Sequence, residues 1–393
     1  MAFPYNTSDS ETGDHYSYRV TRSTSQSQTT QTTQTTQSAS QGDRQSVRVT
    51  RSQSRSTQFI PPATFQADRQ SVKEKRIYLS SALIKSAREK LLGFQKDHIE
   101  GEEETEENEE GYTGSREITL RENVSLDNYL RYINNNEDKS NLVRMYLRDG
   151  SIKAYEVPLA PHAYTSGAIK IIMGAWNRQD FDYGDNQDLT LSATSSRKPD
   201  CVIFARRRNP PANPAQAADS TGGPYPTMVV EVGYSQSLPD LYKAVAEYFN
   251  QRTTIQIVLI IKIFGVRTDP NTNTRTIALV AALFLRTSPN PLVPTSVISF
   301  GTANLDSKIE NFILLDMGTP IANYIGVGIP DPNNHNLPFP PCNAAGIPIY
   351  TMNIPGTELY DGVPVGNLPP NFNLGCDIDL WELQSTIRRH LRI

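Results

Sequence analysis

The sequence predicts an α/β fold, a mixed sheet flanked by helices, between a disordered N-terminal tail and an irregular Pro-rich C-terminal wrap. Two observations between residues 199 and 285 lead to this prediction. The segments 255–264 and 276–285 are nearly continuous apolar runs, rich in the residue types of strands that are covered on both faces. Before them, a helical repeat of apolar residues at 238–251 follows two shorter strand-like segments, 200–205 and 227–232. Strands that alternate with a helix in this way are typical of an α/β core.

The N-terminal part is organised as three segments. Residues 1–70, rich in Ser, Thr, Gln and Arg, hold too few apolar side chains to offset the entropy of folding, so we expect a disordered tail. Apolar residues spaced by three, four and seven predict an amphipathic helix within residues 71–96. Residues 97–115 contain a dense run of glutamates, which favours a solvated acidic linker.

The tail contains an approximate repeat, SYRVTRS at 17–23 and SVRVTRS at 46–52. Such Arg/Ser repeats could contact nucleic acid or accept phosphate, or they could be inert and solvated. A protein partner that binds the tail is therefore left open.

The main domain is predicted over residues 116–325. Its expected elements before residue 199 are a strand at 117–120, a short helix at 125–133 with Ser125 as N-cap, a β-hairpin formed by 142–147 and 152–157 around Asp149-Gly150, and a helix at 164–177 introduced by Pro161.

Residues 326–393 are predicted to form a Pro/Asn-rich extended segment that ends in a helix. Proline and asparagine disfavour helices and central strands over most of this length. The pattern at 377–391 is amphipathic, with acids at its start and Arg388, Arg389 and Arg392 at its end, an order that suits the helix dipole.

Charge and cysteine content limit the class of protein. The chain of 393 residues has a net charge of -4, so it offers no general attraction to a polyanion, and any nucleic-acid contact must come from local patches. Cys201, Cys342 and Cys376 are too far apart to suggest a CxxC-type zinc site or a disulfide framework.

The apolar run at 255–266 is roughly half of the ~20 residues that a membrane span needs. We expect an intracellular protein without a membrane partner, and leave nuclear or cytoplasmic placement open.

Glu231 is an acidic residue inside an otherwise apolar predicted strand, Met228 to Val232. An unpaired carboxylate there would cost several kcal/mol, so a cation, a hydrogen-bonded partner or exposure at a sheet edge should compensate it. Asp200 heads the neighbouring predicted strand, and pairing of the two strands could bring both carboxylates to one point. Two such oxygen donors suit Mg²⁺ or Mn²⁺.

Three motifs carry a resemblance to a known family: RKPD at 197–200, EVGYSQS at 231–237 and DLYK at 240–243. Together they resemble a restriction-endonuclease branch of the PD-(D/E)XK nuclease superfamily, over roughly residues 161–263. The resemblance implies a restriction-endonuclease-like core in which Asp200 and Glu231 hold Mg²⁺ or Mn²⁺. It also implies a catalytic Lys243, because members of this branch carry the lysine on the helix that follows the acid.

The activity implied by the resemblance is metal-dependent hydrolysis of DNA phosphodiesters, with DNA as the partner. That chemistry needs water made nucleophilic by a metal and positive groups against the developing charge, which two carboxylates and a lysine can supply. Two positions depart from the superfamily pattern: Gly233 stands where the lysine usually lies, and Ala168 stands near the place of an acidic residue on the preceding helix. His162 matches a family position.

The alternative from a different class is a catalytically inactive nuclease-like scaffold that acts as a nucleic-acid- or protein-binding module, and a homodimer is possible. Without the resemblance, Asp200 reads as a turn former and Lys243 as a solvated helix residue. Gly233 could mark a bulge or a close-packing site. Ser235 and Ser237 are expected to cap the following helix.

A run of three arginines, Arg206 to Arg208, follows the strand of Asp200. Its guanidinium groups could grip phosphate near the site, or the run could be a solvated strand end.

Overall fold

A seven-stranded sheet carries the two long apolar segments that the sequence predicts to be strands. The structure, a computed structural model, describes residues 77–96, 115–136, 142–185, 187–213, 216–219 and 221–393, and the elements named here belong to these residues. The strands are β1 Ile118–Arg121, β2 Arg144–Arg148, β3 Ser151–Glu156, β4 Phe181–Gly184, β5 Leu189–Ser192, β6 Ser195–Arg197, β7 Cys201–Ala205, β8 Met228–Gly233, β9 Ile257–Thr268, β10 Arg275–Leu285, β11 Ser296–Ser299, β12 Tyr324–Gly326, β13 Thr351–Ile354 and β14 Cys376–Asp379. The α-helices are α1 Ser81–Lys96, α2 Leu126–Asn135, α3 Ala160–Trp176, α4 Leu238–Tyr248, α5 Ser307–Asn311, α6 Gly356–Leu359 and α7 Leu380–Leu391.

The large sheet has the strand order β12-β11-β10-β9-β8-β7-β4. It is mixed, because β8 and β9 run parallel while β7 is antiparallel to β8. Its central strands are buried on both faces, since alternate residues of β8 and β9 join two different hydrophobic clusters. Helix α4 packs on one face through Leu241 and Val245, and helices α3 and α7 pack on the other through Ile169 and Leu383. The predicted fold class, an α/β fold with a mixed sheet flanked by helices, is confirmed.

A second sheet of five strands, in the order β1-β3-β2-β6-β5, lies beside a separate hydrophobic cluster that includes α1 and α2. The predicted hairpin is confirmed: β2 and β3 pair around Asp149 and Gly150, whose positive φ angles of 48° and 74° suit the tight turn that favours Asp-Gly. Ser125 caps α2 by accepting a hydrogen bond from the Asn128 N–H, as its position predicts.

The amphipathic helix predicted within residues 71–96 is observed as α1 from residue 81 onward. Ile84, Ala87 and Leu91 face the core, whereas Leu83 lies on the exposed side. Residues 71–76, nearly all of the predicted acidic linker (97–114) and the tail with its repeats lie outside the described residues.

The C-terminal segment contributes to the core more than an extended wrap would. It contains the antiparallel ribbon β13–β14, in which Met352 pairs with Ile378. Both residues and Leu383 of α7 are buried in the same cluster as the large sheet. The helix predicted from residue 377 therefore begins later, because strand pairing with β13 holds the chain extended up to Asp379. Asp379 then caps α7 by accepting from the Trp381 N–H.

No helix of the described residues combines the length and the apolar character that crossing a membrane requires.

We predict that Leu383→Ala destabilises the protein by roughly 2 to 5 kcal/mol, because it opens a cavity between α7 and the sheet. The matched control is Leu374→Ala, at a leucine that is 68% exposed, which should change the free energy of unfolding by less than about 0.5 kcal/mol. Urea denaturation of both variants measures the difference. Equal, small effects would show that α7 is not part of the core.

Candidate functional site

The two predicted acidic residues lie together under α4. In the β7–β8 pair, Cys201 stands opposite Val230, which places Asp200 beside Glu231 at the start of β7. The Asp200 side chain accepts a hydrogen bond from the Val232 N–H at 2.7 Å, so it lies over the backbone that carries Glu231. Both side chains are buried, at 2% and 0% exposure. The structure thus brings the acidic pair together as the sequence predicts.

Asp200 is held by two basic side chains from other elements. Arg144 Nη1 of β2 lies 2.8 Å from Asp200 Oδ1, and His162 Nε2 of α3 lies 3.0 Å from Asp200 Oδ2. Burial alone would raise the pKa of Asp200, but Arg144 and then His162 outweigh it and lower that pKa to about 2. Burial disfavours a charged His162, yet the Asp200 carboxylate outweighs burial and raises the pKa of His162. Asp200 is therefore a paired anion at neutral pH.

Glu231 is held differently, by an arginine and a tyrosine. Arg197 Nε of β6 lies 3.3 Å from Glu231 Oε1, and the Tyr248 hydroxyl of α4 donates to the same oxygen. Arg197 is itself fully buried, with its guanidinium 4.5 Å from the centre of the Tyr146 ring. Burial and then the neighbouring Asp200 charge raise the pKa of Glu231 to about 7, although Arg197 and Tyr248 oppose the shift. The two adjacent carboxyls therefore titrate far apart.

A chain of ion pairs extends from Glu231 to the edge of the five-stranded sheet. Arg197 Nη1 lies 2.8 Å from Glu247 Oε2, Glu247 also pairs with Arg148, and Arg148 Nη1 lies 2.8 Å from Glu117 Oε2. Arginines from β2 and β6 of the small sheet thus meet carboxylates from β8 and α4 of the large-sheet layer. The network joins the two sheets through charges that would be costly if left unpaired.

These residues do not fit a hydrated divalent ion well. Mg²⁺ usually binds one or two carboxylates and keeps several waters, but both oxygens of Asp200 are in ion-pair contact with side chains of this chain, and Oδ2 also accepts the Val232 N–H. The described residues contain no group of three or more His, Cys, Asp or Glu that could hold a metal. One feature favours an ion, since the buried Glu231 Oε2 and Asp200 Oδ1 both have no hydrogen-bond partner in the described part of the chain. An ion bound there would need Arg144 to leave Asp200.

Lys243, the third predicted site residue, lies apart from the carboxylates. Its side chain is half exposed, and its Nζ is 3.4 Å from Asp240 Oδ1, one turn earlier on α4. The buried face of α4 presents Leu241 and Tyr248 to the sheet instead. Tyr248 is thus the α4 side chain that reaches Glu231, and the structure does not bring Lys243 to the acidic pair.

Gly233 is a close-packing position. A Cβ atom at this residue would lie 2.7 Å from Leu241 Cδ1 and 3.1 Å from the Gln236 carbonyl oxygen, so any larger side chain there would require the Leu241 side chain and the loop at Gln236 to shift. Opposite Gly233 on β9 stands Lys262, which is buried and donates to the carbonyl oxygens of Tyr234 and Gln236 at 3.0 and 2.7 Å. Burial, reinforced by Arg116, lowers the pKa of Lys262 to about 7. Its only sequence signal was a lysine within an apolar run.

The loop between β8 and α4 is anchored by Glu156, a residue that the sequence analysis missed. Ser237 caps α4 as predicted, accepting from the Asp240 N–H. Ser235 does not cap the helix, because its N–H and hydroxyl both donate to Glu156 Oε1, at 3.0 and 2.8 Å. Glu156, at the end of β3, therefore holds the start of this loop, and Ser237 is the residue that caps α4.

The arginine run after β7 is engaged within the fold. Arg206 pairs with Asp182 at 2.8 Å, Arg207 donates to the Asn367 carbonyl, and the largely buried Arg208 pairs with Asp361 at 2.8 Å. Phosphate binding by this run stays a prediction that these contacts do not favour.

The missed partners of the acidic pair are Arg144, Arg197 and Tyr248. Arg144 and Tyr248 lie in otherwise apolar or aromatic stretches, whereas Arg197 lies in a polar stretch and is the first residue of the Arg-Lys-Pro-Asp motif. A buried carboxylate needs a counter-charge, so a basic residue within a predicted core strand was the available signal.

Comparisons with known proteins give little further guidance. No protein-family model matches the sequence, and no curated protein matches it. Among solved structures, the chain is similar to a crystal structure described as a putative nuclease belonging to DUF820 from Anabaena variabilis, with 12% identity over 44% of this chain and 90% of that chain, and a TM-score of 0.27. A TM-score this low is not evidence of a shared fold.

We predict that Arg144→Met destabilises the protein by roughly 3 to 5 kcal/mol, because it leaves the Asp200 charge buried with less compensation. The control is Arg206→Met, which removes an exposed pair with Asp182 and should cost less than about 1 kcal/mol. Urea denaturation at neutral pH measures both. A cost for Arg144→Met no larger than the control would contradict the buried network.

We predict that Glu231→Gln removes a pH dependence of stability between about pH 4.5 and 7, the ordinary and the folded-state pKa of Glu231. Because the folded state holds the Glu231 proton more tightly, this group favours folding most below pH 4.5, and its contribution falls by on the order of 3 kcal/mol as the pH rises to 7. His162 titrates in both proteins, so its contribution cancels. Urea denaturation of both proteins measures the free energy of unfolding of the wild type minus that of Glu231→Gln. This difference should fall as the pH rises from about 4.5 to 7, and a difference that does not change with pH would contradict the assignment.

Proposed function

We propose that this chain is a catalytically inactive, restriction-endonuclease-like module that acts by binding a partner, and that Asp200 and Glu231 form the centre of an internal ionic network. The observation that carries the proposal is the pairing of Asp200 with Arg144 and His162, which engages both carboxylate oxygens. A nuclease needs these oxygens for its metal, whereas here they bind side chains of the same chain.

Burial supports the same conclusion. Asp200, Glu231 and Arg197 are almost fully inaccessible, so a phosphodiester and its attacking water would need the small sheet to move away from α4. That movement would break the Arg197 contacts with Glu231 and Glu247 together. Since these are buried charged pairs, the opening would cost several kcal/mol.

The third support is the position of the lysines. The half-exposed Lys243 pairs with the buried Asp240 of α4, and Lys262 donates to two carbonyl oxygens of the loop after β8. Neither amine is placed to polarise a water beside Glu231. The charge set needed for phosphodiester hydrolysis is therefore incomplete.

A second candidate is the metal-dependent nuclease acting on DNA that the motifs imply. It is favoured by the convergence of Asp200 and Glu231 and by the partnerless Oε2 of Glu231. In that case Asp200 and Glu231 would hold Mg²⁺ or Mn²⁺, which supplies a polarised water, and Lys243 would have to reach that water. Arg144 would then have to release Asp200 when the ion binds.

A magnesium titration followed by a plasmid-nicking assay separates the two candidates. We predict that calorimetry detects no specific Mg²⁺ or Mn²⁺ uptake by the purified full chain, and that nicking stays at background, because the carboxylates are already compensated. Ion uptake and nicking that are both lost in Glu231→Ala, with Leu374→Ala as a surface control, would instead establish the nuclease.

A further inference from the structure

Four arginines form an exposed basic surface at the end of α7, which we call the α7 arginine surface: Arg275, Arg388, Arg389 and Arg392. Three of them are exposed and Arg388 is half buried. Arg275 comes from the start of β10, and its Nη1 donates to the Arg392 carbonyl oxygen at 3.2 Å, which brings the strand arginine to the end of the helix. The surface therefore gathers residues from two distant parts of the chain.

The arginines of this surface have no carboxylate partner, unlike the arginines of the ionic network around Asp200 and Glu231. In the described ranges, Arg144, Arg148 and Arg197 each form an ion pair with an acid, while none of the four arginines of the α7 arginine surface does. The one acid of α7, Glu382, lies at its other end, seven residues before Arg389, or roughly 10 Å along the axis. It therefore does not pair with the arginines of this surface.

The helix dipole explains only part of this surface. Cations at a helix C-terminus are stabilising, which accounts for Arg388 and Arg389. It does not account for Arg275, which belongs to a strand. The last turn of α7 is also fixed in place by His390, whose ring stacks on Tyr164 of α3 with 3.5 Å between ring centres and 8° between planes. The turn that carries these arginines is therefore packed against α3.

From this geometry we infer that the α7 arginine surface binds the phosphate backbone of a nucleic acid. Its charged side chains are arginines, and a planar guanidinium group can donate two parallel hydrogen bonds to the oxygens of one phosphate. Because the whole chain is acidic, binding to a polyanion requires a local surface of this kind. The inference rests on the proposed partner-binding function and identifies the partner as a nucleic acid. The α7 arginine surface does not include Asp200 or Glu231.

Salt-dependent binding to a fluorescein-labelled oligonucleotide tests this assignment. The full chain is titrated by fluorescence anisotropy in EDTA at several NaCl concentrations, with a single strand and with its duplex as probes. We predict that Arg275→Gln with Arg389→Gln lowers the slope of log K against log salt by about 1.4 for the single strand and about 1.8 for the duplex, the values for two lost phosphate contacts. Affinity at low salt should fall by about tenfold or more.

The matched control is Arg206→Gln with Arg207→Gln, a second pair of half-exposed arginines that contact Asp182 and Asp180. This control should leave the slope unchanged. The doubly substituted Arg275→Lys with Arg389→Lys, which keeps the charge, should retain most of the slope. All four substituted positions are solvent-accessible, and equal thermal melting verifies that the variants are folded.

Two outcomes would overturn the assignment directly: no binding of the oligonucleotide by the full chain, or the same loss of slope in the Arg206→Gln, Arg207→Gln control. A third is displacement of the oligonucleotide by polyglutamate of equal total charge, because it would indicate a general affinity for acidic polymers. The use of EDTA separates this test from the proposed function. Metal-dependent nicking would refute the proposed catalytic inactivity but not phosphate binding by the α7 arginine surface. An unchanged slope of log K against log salt in Arg275→Gln with Arg389→Gln would refute phosphate binding by that surface alone.

Discussion

Neutralisation of two buried carboxylates is the constraint on which the rest of the structure depends. Asp200 and Glu231 lie side by side at almost zero exposure, so their charges must be compensated from within the fold. Arg144 and Arg197 do this, and both come from the five-stranded sheet. The ion pairs that compensate the two carboxylates therefore also determine the position of the small sheet relative to α4 and β8.

Much of the fold could be predicted from the sequence because it depends on local patterns. The apolar runs of β9 and β10, the Asp-Gly hairpin and the cap at Ser237 are set by residues close in the chain. The convergence of Asp200 and Glu231 could also be predicted, since one antiparallel strand pair determines it. The start of α7 could not, because pairing of Ile378 with a distant strand overrides a local helical pattern.

The chemistry of the site was harder to predict, for a physical reason. A motif fixes which residues occur but not which charges meet them in space. Arg144 lies 56 positions before Asp200 in the sequence, so its place in a core strand could suggest a buried partner but not that this partner is Asp200, 2.8 Å away. Likewise, the family resemblance implied Lys243, whereas the side chain of α4 that contacts Glu231 is Tyr248.

The short connection between β6 and β7 has a consequence for how the protein assembles. Arg197 ends a strand of one sheet, and only three residues later Asp200 introduces a strand of the other. As the chain leaves the ribosome, the small sheet emerges with Arg144 and Arg197 unmatched, since Asp200, Glu231 and Glu247 are made afterwards. A gene split at this crossing would therefore leave buried charges without partners in both fragments until the two associate.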